Sequence, residues 1–160
     1  MISVSTLGSS AEITSILPET LAPPMMATEM RAAIRPYSMA GLSGDGLFEF
    51  HVRLVPDGRA TGYIANDLKV GDAVKVSGPL GSAYLRRKHE GPMLCVAGGT
   101  GLAPILSILR GVVAQGMKNP VHLYFGVRSP RDIYGMPWLD QLKREHPGLT
   151  VHVVVTSGGN

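Results

Sequence analysis

The sequence predicts a protein of the β + α/β class, with part of an antiparallel β-barrel followed by part of a parallel-sheet domain. Three observations predict this architecture. Apolar and polar residues alternate over residues 47–55, as they do in a half-buried strand. An apolar run, a cluster of glycines and a helical apolar stripe follow one another over residues 92–110. Beyond them, strand-like and helix-like stretches alternate, which is typical of parallel crossovers.

The composition is that of a folded domain rather than a disordered tail. The chain has 160 residues, of which 44% are hydrophobic, and a formal net charge of only +3. Aromatic residues are few and do not alternate with basic runs, which argues against nucleic-acid binding. The five histidines are scattered without metal-ligand spacing, so no metal site is expected.

The sequence also predicts the cellular setting. No apolar stretch is long enough to cross a bilayer, and the N-terminus lacks the pattern of a signal peptide, so we expect a cytoplasmic protein without membrane contact. The single cysteine, Cys95, excludes an internal disulfide or a cysteine-ligated cluster within this chain. Its apolar surroundings predict a packing role rather than a reactive thiol.

Residues 1–34 are expected to form an irregular lead-in. They are rich in Ser, Thr, Ala, Met and Pro, and neither the strand period nor the helix period persists in them. Prolines interrupt the stretch, and a short helix fits only at 27–33.

Residues 35–90, here called the β segment, predict antiparallel sheet that forms part of a small barrel. Pro36 keeps the residue before it extended. Alternating patterns predict strands, and Gly, Pro and Asp mark the turns between them. The expected strands are 47–55, 73–77 and 83–85, with helical turns over 61–68 and tight turns at 41–46, 57–58 and 78–81.

Residues 91–160, here called the α/β segment, predict a parallel sheet with connecting helices. An apolar stripe follows Pro104, which suits a first helical turn, and Gly116 is a natural helix end. The expected strands are 93–97, 121–127 and 150–156, and the expected helices are 103–115 and 137–145.

The glycine cluster between the first strand and helix of the α/β segment is a candidate phosphate-binding loop. Glycines let the backbone approach an anion closely, and the N–H groups at a helix start bind its charge. The cluster reads Gly-x-Gly-x-x-Pro from Gly99, so it matches the Rossmann fingerprint only in part. A plain tight turn in an α/β core is the alternative. The loop residues are Gly98, Gly99, Thr100 and Gly101.

Four motifs, in this order, resemble those of the ferredoxin–NADP reductase-like flavoenzymes. Arg-Pro-Tyr-Ser at 35–38 is similar to the flavin motif of that family, and residues 58–64 resemble its second flavin-phosphate loop. The turn at 78–82 resembles the turn that closes the family's barrel, and residues 98–104 match its nicotinamide loop. The stretch most resembles the reductase components of naphthalene-type ring-hydroxylating dioxygenases. This resemblance implies that NAD(P)H reduces FAD and that the electrons pass to a ferredoxin.

The resemblance implies roles for the residues of the β segment. Arg35 would pair with the FAD pyrophosphate, Tyr37 would lie against the flavin or ribityl chain, and Ser38 would hydrogen-bond flavin N5. Tyr37 and Ser38 are therefore the catalytic candidates. The strand at His51 and Val52 would run under the ring, mainly through backbone contacts. Thr61 would cap the short helix that faces the flavin phosphates.

The resemblance also implies a nucleotide site in the α/β segment. Residues 98–101 would hold the NAD(P)H pyrophosphate, and Arg128 follows the second strand at the end where ligands bind parallel sheets. Each residue also has a plain structural interpretation: Arg35 on the surface, Tyr37 in the core, Thr61 as a helix cap and Arg128 solvating a loop. The basic run at 86–88 would either meet an acidic ferredoxin or form a solvated hairpin.

The sequence departs from the family at both ends. Residues 1–34 do not show the family's earlier barrel strands or a four-cysteine domain, and the later strands and Cys-Gly-Pro motif are absent. We therefore expect a fragment or a frame-disrupted product, with strand 93–97 at a sheet edge although its composition suits burial on both faces. The alternatives to an active reductase are a non-enzymatic fragment without flavin and a simple dinucleotide-binding module. NADH and NADPH both stay candidates, and no oligomeric state is predicted.

Overall fold

The computed structural model describes residues 2–4, 10–11, 35–42, 44, 47–72, 74, 76, 78 and 80–156. The helix considered for 27–33 lies outside these residues, as do parts of the expected turns at 41–46 and 78–81 and of the expected strand at 73–77. The two described residues of that strand, Val74 and Val76, are not in a strand.

Short strands on either side of His51 organise the β segment. β1 (Ile2–Val4) and β2 (Ser10–Ala11) pair with β3 (Phe48–Phe50) and β4 (Val52–Arg53), in parallel and antiparallel respectively. The single strand predicted over 47–55 is therefore two short strands. β1 and β2 lie in the stretch expected to be irregular. Their partners lie far along the chain, so a local period does not reveal them.

A small core closes on α1 (Arg59–Asn66), which begins two residues before the helical turns predicted there. Buried Ile64 packs with Phe50 and Val52, and half-buried Tyr37 lies against them. The strand predicted at 83–85 is wrong. The Arg86 guanidinium lies 3.5 Å from the centre of the Tyr84 ring and donates to the carbonyls of Ser82 and Tyr84, so this backbone bends around a side chain.

A three-stranded parallel sheet organises the α/β segment. The strands lie in chain order, with Cys95 opposite Leu123 and Leu123 opposite Val151. Every strand and helix predicted for this segment is confirmed, with ends that differ by at most one residue. The elements are β5 (Met93–Gly98), α2 (Leu102–Ala114), β6 (Val121–Val127), α3 (Met136–Glu145) and β7 (Leu149–Val155).

Both helices cover the same face of this sheet and form the main core with it. Leu106 and Leu109 from α2 and Leu139 and Leu142 from α3 pack on alternate residues of the strands. Cys95 belongs to this core, and burial raises the pKa of its thiol, so the predicted packing role is confirmed.

The opposite face of β5 is open among the described residues. Leu94 and Val96 are each 70% exposed, although the apolar composition of this strand suits burial on both faces. Within the described residues, β5 pairs only with β6, as expected for an edge strand. None of the helices described here has the length and apolar character needed to span a membrane.

Candidate functional site

Helix α2 connects the glycine loop to the β segment. The Ser107 hydroxyl donates to the Gly41 carbonyl at 2.8 Å, and Arg110 Nη1 donates to the Ala40 carbonyl at 2.7 Å. These carbonyls lie two and three residues after Ser38, the last residue of the predicted flavin motif. Because α2 starts directly after Gly101, one helix contacts both predicted nucleotide motifs.

The polar side chains of β3 and β4 form the second part of this interface. Residues 49, 51 and 53 alternate with the core residues Phe50 and Val52, so they point to the opposite face. Glu49 binds Arg110, His51 contacts Tyr134, and Arg53 lies 3.7 Å from Asp132. The polar face of the strand is thus covered by the α/β segment.

Glu49 and His51 are the most constrained groups of the interface. One Glu49 oxygen lies 3.1 Å from His51 Nε2, and the other accepts from Arg110 Nη1 at 2.6 Å. These interactions lower the pKa of Glu49 to about 2, with the His51 hydrogen bond contributing most and partial burial opposing it. The His51 ring is 1% exposed and stacks on Trp138, with ring centres 5.1 Å apart.

The glycine loop lies at the carboxyl end of the parallel sheet. Gly98 is in register with Gly126, so the loop and Arg128 leave neighbouring strands at the same edge. Gly99 has φ +51°, a conformation that favours glycine. A Cβ built at Gly98, Gly99 or Gly101 meets no atom within 4 Å, so the space before the loop is open to a ligand.

Arg128 is exposed beyond the end of β6 and is close enough to Asp132 to help lower the pKa of that carboxyl group. The larger cause is Ser129, whose hydroxyl and backbone N–H both bind Asp132. Arg128 thus follows the carboxyl end of β6, at the sheet edge from which the glycine loop also leaves.

Three of the predicted flavin residues, Arg35, Tyr37 and Ser38, lie in one accessible stretch of the β segment. Arg35 and Ser38 are exposed, whereas Tyr37 is half-buried against the small core. Val52 is buried in that core, and the His51 ring contacts protein groups on several sides. The side chains of both residues are therefore engaged by protein groups, and their backbone contacts to a flavin stay a prediction.

The predicted capping role of Thr61 is wrong. Gly58 is the N-cap of α1 and Thr61 is the third residue of the helix. The Thr61 hydroxyl donates to the Gly58 carbonyl at 3.3 Å and accepts from the Val55 N–H at 3.2 Å. Thr61 therefore fixes the turn before the helix. The φ of +59° at Asp57 places the strained position one residue before the cap.

Sequence reasoning missed the residues that join the two segments. They are polar or aromatic groups distant in the chain, and each has an unremarkable local pattern. The sequence shows that polar residues alternate in β3 and β4, but it does not show which part of the chain contacts them. The missed residues are Glu49, Ser107, Arg110, Tyr134 and Trp138. Within the described residues no cluster of His, Cys, Asp or Glu could hold a metal ion.

Two family models match the chain, one for each side of this interface. The oxidoreductase FAD-binding domain matches residues 23–84, and the oxidoreductase NAD-binding domain matches residues 95–160. The two matched models are domains of flavin- and nicotinamide-dependent oxidoreductases. The chain therefore contains FAD-binding and NAD-binding oxidoreductase domains.

Individual relatives agree with this assignment. The chain is 59% identical, over 124 residues, to the ferredoxin–NAD(P)+ reductase component of the naphthalene 1,2-dioxygenase system of Pseudomonas putida. The match covers 78% of this chain and 38% of that protein. The reductase component of the naphthalene 1,2-dioxygenase/salicylate 5-hydroxylase systems of a Ralstonia species is also 59% identical, with the same coverage. The chain thus spans about two fifths of the length of these relatives.

Solved structures show the same fold. An Amycolatopsis cytochrome P450 reductase superposes with a TM-score of 0.75 at 33% identity, covering 94% of this chain and 43% of that one. The ferredoxin reductase of carbazole 1,9a-dioxygenase superposes with a TM-score of 0.68 at 28% identity, and the match covers 94% of this chain and 41% of that one. The ferredoxin–NADP+ reductase of Plasmodium falciparum, at 17% identity and a TM-score of 0.66, shares the fold over 98% of this chain and 62% of that one.

Proposed function

We propose that the chain carries electrons from NAD(P)H through FAD to the ferredoxin of an aromatic-ring dioxygenase system. The observation that supports this most is the placement of α2. Ser107 and Arg110 contact the stretch after the flavin motif, five and eight residues after Leu102, or roughly 8 and 12 Å along the helix axis. One rigid element thus relates the glycine loop to the flavin motif.

The β segment offers groups that fit FAD. Exposed Arg35 and Ser38 flank half-buried Tyr37, so a ligand can reach a guanidinium, a hydroxyl and a ring edge together. In the proposed site Arg35 binds the pyrophosphate, Tyr37 packs against the flavin or ribityl chain, and Ser38 hydrogen-bonds N5. The turn fixed by Thr61 presents the start of α1 to the flavin phosphates.

The α/β segment offers groups that fit a nicotinamide dinucleotide. The open space before Gly98, Gly99 and Gly101 admits a pyrophosphate to the loop N–H groups, and Arg128 adds a positive charge at the same edge. The redox chemistry belongs to the bound cofactors. The protein orients them and excludes water between them, and the interface from Glu49 to Trp138 fixes the relation of the two sites.

The visible spectrum of the purified chain tests this function. We expect the protein to bind FAD, either as isolated or after reconstitution, and to lose its flavin absorbance when NADH or NADPH is added without oxygen. Reduction of an added ferredoxin should follow. A protein that stays colourless after reconstitution would contradict the proposal.

A second candidate is a dinucleotide-binding module that works without flavin. The unequal cores of the two segments favour it, since among the residues that the structure describes 12 buried residues form the α/β core and three form the core around α1. NADH fluorescence separates the candidates. Enhancement by protein without bound flavin supports the module, and flavin bleaching supports the reductase.

A further inference from the structure

We propose that Glu49, His51, Arg110, Tyr134 and Trp138, here called the interface cluster, hold the nicotinamide loop in position relative to the flavin motif. Its members are positioning residues, because their described contacts join one another, the stretch after the flavin motif and the loop-bearing helix. This inference rests on the proposed function for its consequence in catalysis. The claim that the cluster holds the two segments in position does not depend on flavin binding and is tested separately.

Glu49 is the centre of the cluster because its two oxygens bind groups on different elements. Oε1 accepts from His51 Nε2 within the β segment, and Oε2 accepts from Arg110 on α2. A carboxylate only accepts hydrogen bonds, so His51 carries a proton on Nε2. In the neutral imidazole Nδ1 is then an acceptor for the Tyr134 hydroxyl, 3.3 Å away.

Aromatic packing fixes the same groups from the side of α3. The His51 ring stacks on Trp138 with an interplanar angle of 20°, and Tyr134 meets it edge-on at 78°. The Arg110 guanidinium lies 5.9 Å from the centre of the Trp138 ring, within the range of a cation–π contact. The strand, α2 and the start of α3 therefore meet at one buried imidazole.

Arg110 transmits this arrangement to the site. The same Nη1 that binds Glu49 also donates to the Ala40 carbonyl, two residues after Ser38. Arg110 thus lies on the loop-bearing helix and is bonded both to the stretch after the flavin motif and to Glu49 in β3. Misplacement of reacting groups by about 1 Å can lower a rate by about 100-fold. The cluster is therefore placed where a small shift has a large effect.

Trp138 is the only tryptophan of the chain and reports on the cluster without any cofactor. We expect Glu49→Gln to shift its emission to the red and to raise its acrylamide quenching constant about twofold, because local opening exposes the ring. Glu145→Gln is the matched control, since Glu145 is exposed and binds only Gln141 among the hydrogen bonds described for it. If the two variants behave alike, and like the unmodified chain, the inference is overturned.

A second pair of variants guards against misfolding. Arg110→Lys keeps the cation and Arg110→Met keeps the aliphatic stem alone. We expect the lysine variant to retain more Trp138 shielding than the methionine variant, with equal circular dichroism. Equal quenching in both variants would show that packing rather than charge maintains the interface, which would overturn the inference.

Stopped-flow reduction of the FAD-loaded chain tests the consequence in catalysis. We expect Glu49→Gln to lower the limiting rate of flavin reduction by about 10-fold to 100-fold, with little change in NADH affinity or flavin content. A loss of affinity at an unchanged limiting rate would contradict positioning. If the chain binds no FAD, the proposed function fails, while the fluorescence result still decides whether the cluster holds the two segments together.

Discussion

At the scale of single residues, Glu49 carries more of the interface than its place in a short exposed-looking strand indicates. Its neighbours Phe48 and Phe50 follow the apolar alternation, so a local reading assigns Glu49 to solvent. The structure instead places it between His51 and Arg110, 19% exposed, with both oxygens bound. A charge in that position is stabilised because two donors replace the water it loses.

The lowered pKa of Glu49 predicts an acid-sensitive interface. Because its pKa in the folded state is about 2, against an ordinary 4.5, the carboxylate contributes stability that is fully present above about pH 4.5. That contribution is lost as the pH falls towards 2. Urea unfolding at about pH 6 and about pH 3 should show a larger loss for the unmodified chain than for Glu49→Gln, by up to about 2 kcal/mol. Equal losses would contradict the assignment.

Gly99 permits a direct test of the nucleotide loop. In Gly99→Ala the new methyl group stands in the open space before the loop, on a backbone with φ +51°. We expect weaker NADH binding, by about 10-fold or more, with flavin content unchanged. Gly116→Ala is the matched control, because Gly116 has φ +61° and an open Cβ position but lies beyond the far end of α2.

At the scale of elements, local pattern predicted the α/β segment and failed on parts of the β segment. β5, β6, β7, α2 and α3 carry their own periods, and apolar residues on one face are sufficient to locate each of them. The strand predicted at 83–85 fails because Arg86 folds back on Tyr84, a contact that competes with strand pairing. Strands β1 and β2 depend on partners far along the chain.

The same contrast applies to the candidate site. The glycine loop and Arg128 could be predicted because a ligand position at a sheet edge follows from strand order. The contacts of Glu49 and His51 could not, because they need the orientation of α2 and α3 against the β segment. Thr61 was correctly singled out as a polar group at a helix start, but its hydroxyl binds the preceding turn rather than capping the helix.

One buried side chain holds the backbone where the two segments join. The Asn119 side-chain amide donates to the backbone carbonyls of His89 and Gly91. The backbone carbonyl of Asn119 is bound by His146 Nε2 at the end of α3. We expect Asn119→Ala to lower the free energy of unfolding by about 1–3 kcal/mol, since it leaves two carbonyls unpaired. Urea denaturation measures this. Asn66→Ala, at an exposed helix end, should change stability by about 0.5 kcal/mol or less.

At the scale of the whole molecule, charge provides a test of the proposed ferredoxin contact. All three residues of the basic run are exposed, and Arg87 and Lys88 are the two that do not hold the contact with Tyr84 made by Arg86. Reversing both to Glu should lower the rate of reduction of an acidic ferredoxin by about 10-fold at low salt and much less at high salt. Reversing exposed Lys118 and Lys143 makes the same charge change elsewhere. If both double reversals lower the rate equally, the rate depends on net charge rather than on a docking surface at Arg87 and Lys88.

Among the described residues, the two segments also differ in how many apolar residues each buries. The α/β core includes residues from three strands and two helices, whereas the small core centres on Phe50, Val52 and Ile64. Unfolding is therefore expected to begin on the β side, with the interface as its main support. This difference explains why a nucleotide-binding module is the second candidate function.

The distance between Arg110 and the glycine loop along α2 determines how far a tilt of this helix moves the proposed site. Arg110 is the ninth residue after Gly101, so the loop lies roughly 13 Å from this anchor along the helix axis. At that radius a tilt of about 5° moves the loop by about 1 Å, the scale on which transfer rates change. The helix acts as a lever that Ser107 and Arg110 hold near its middle, so the position of the distant loop depends on how rigidly these two side chains are bound.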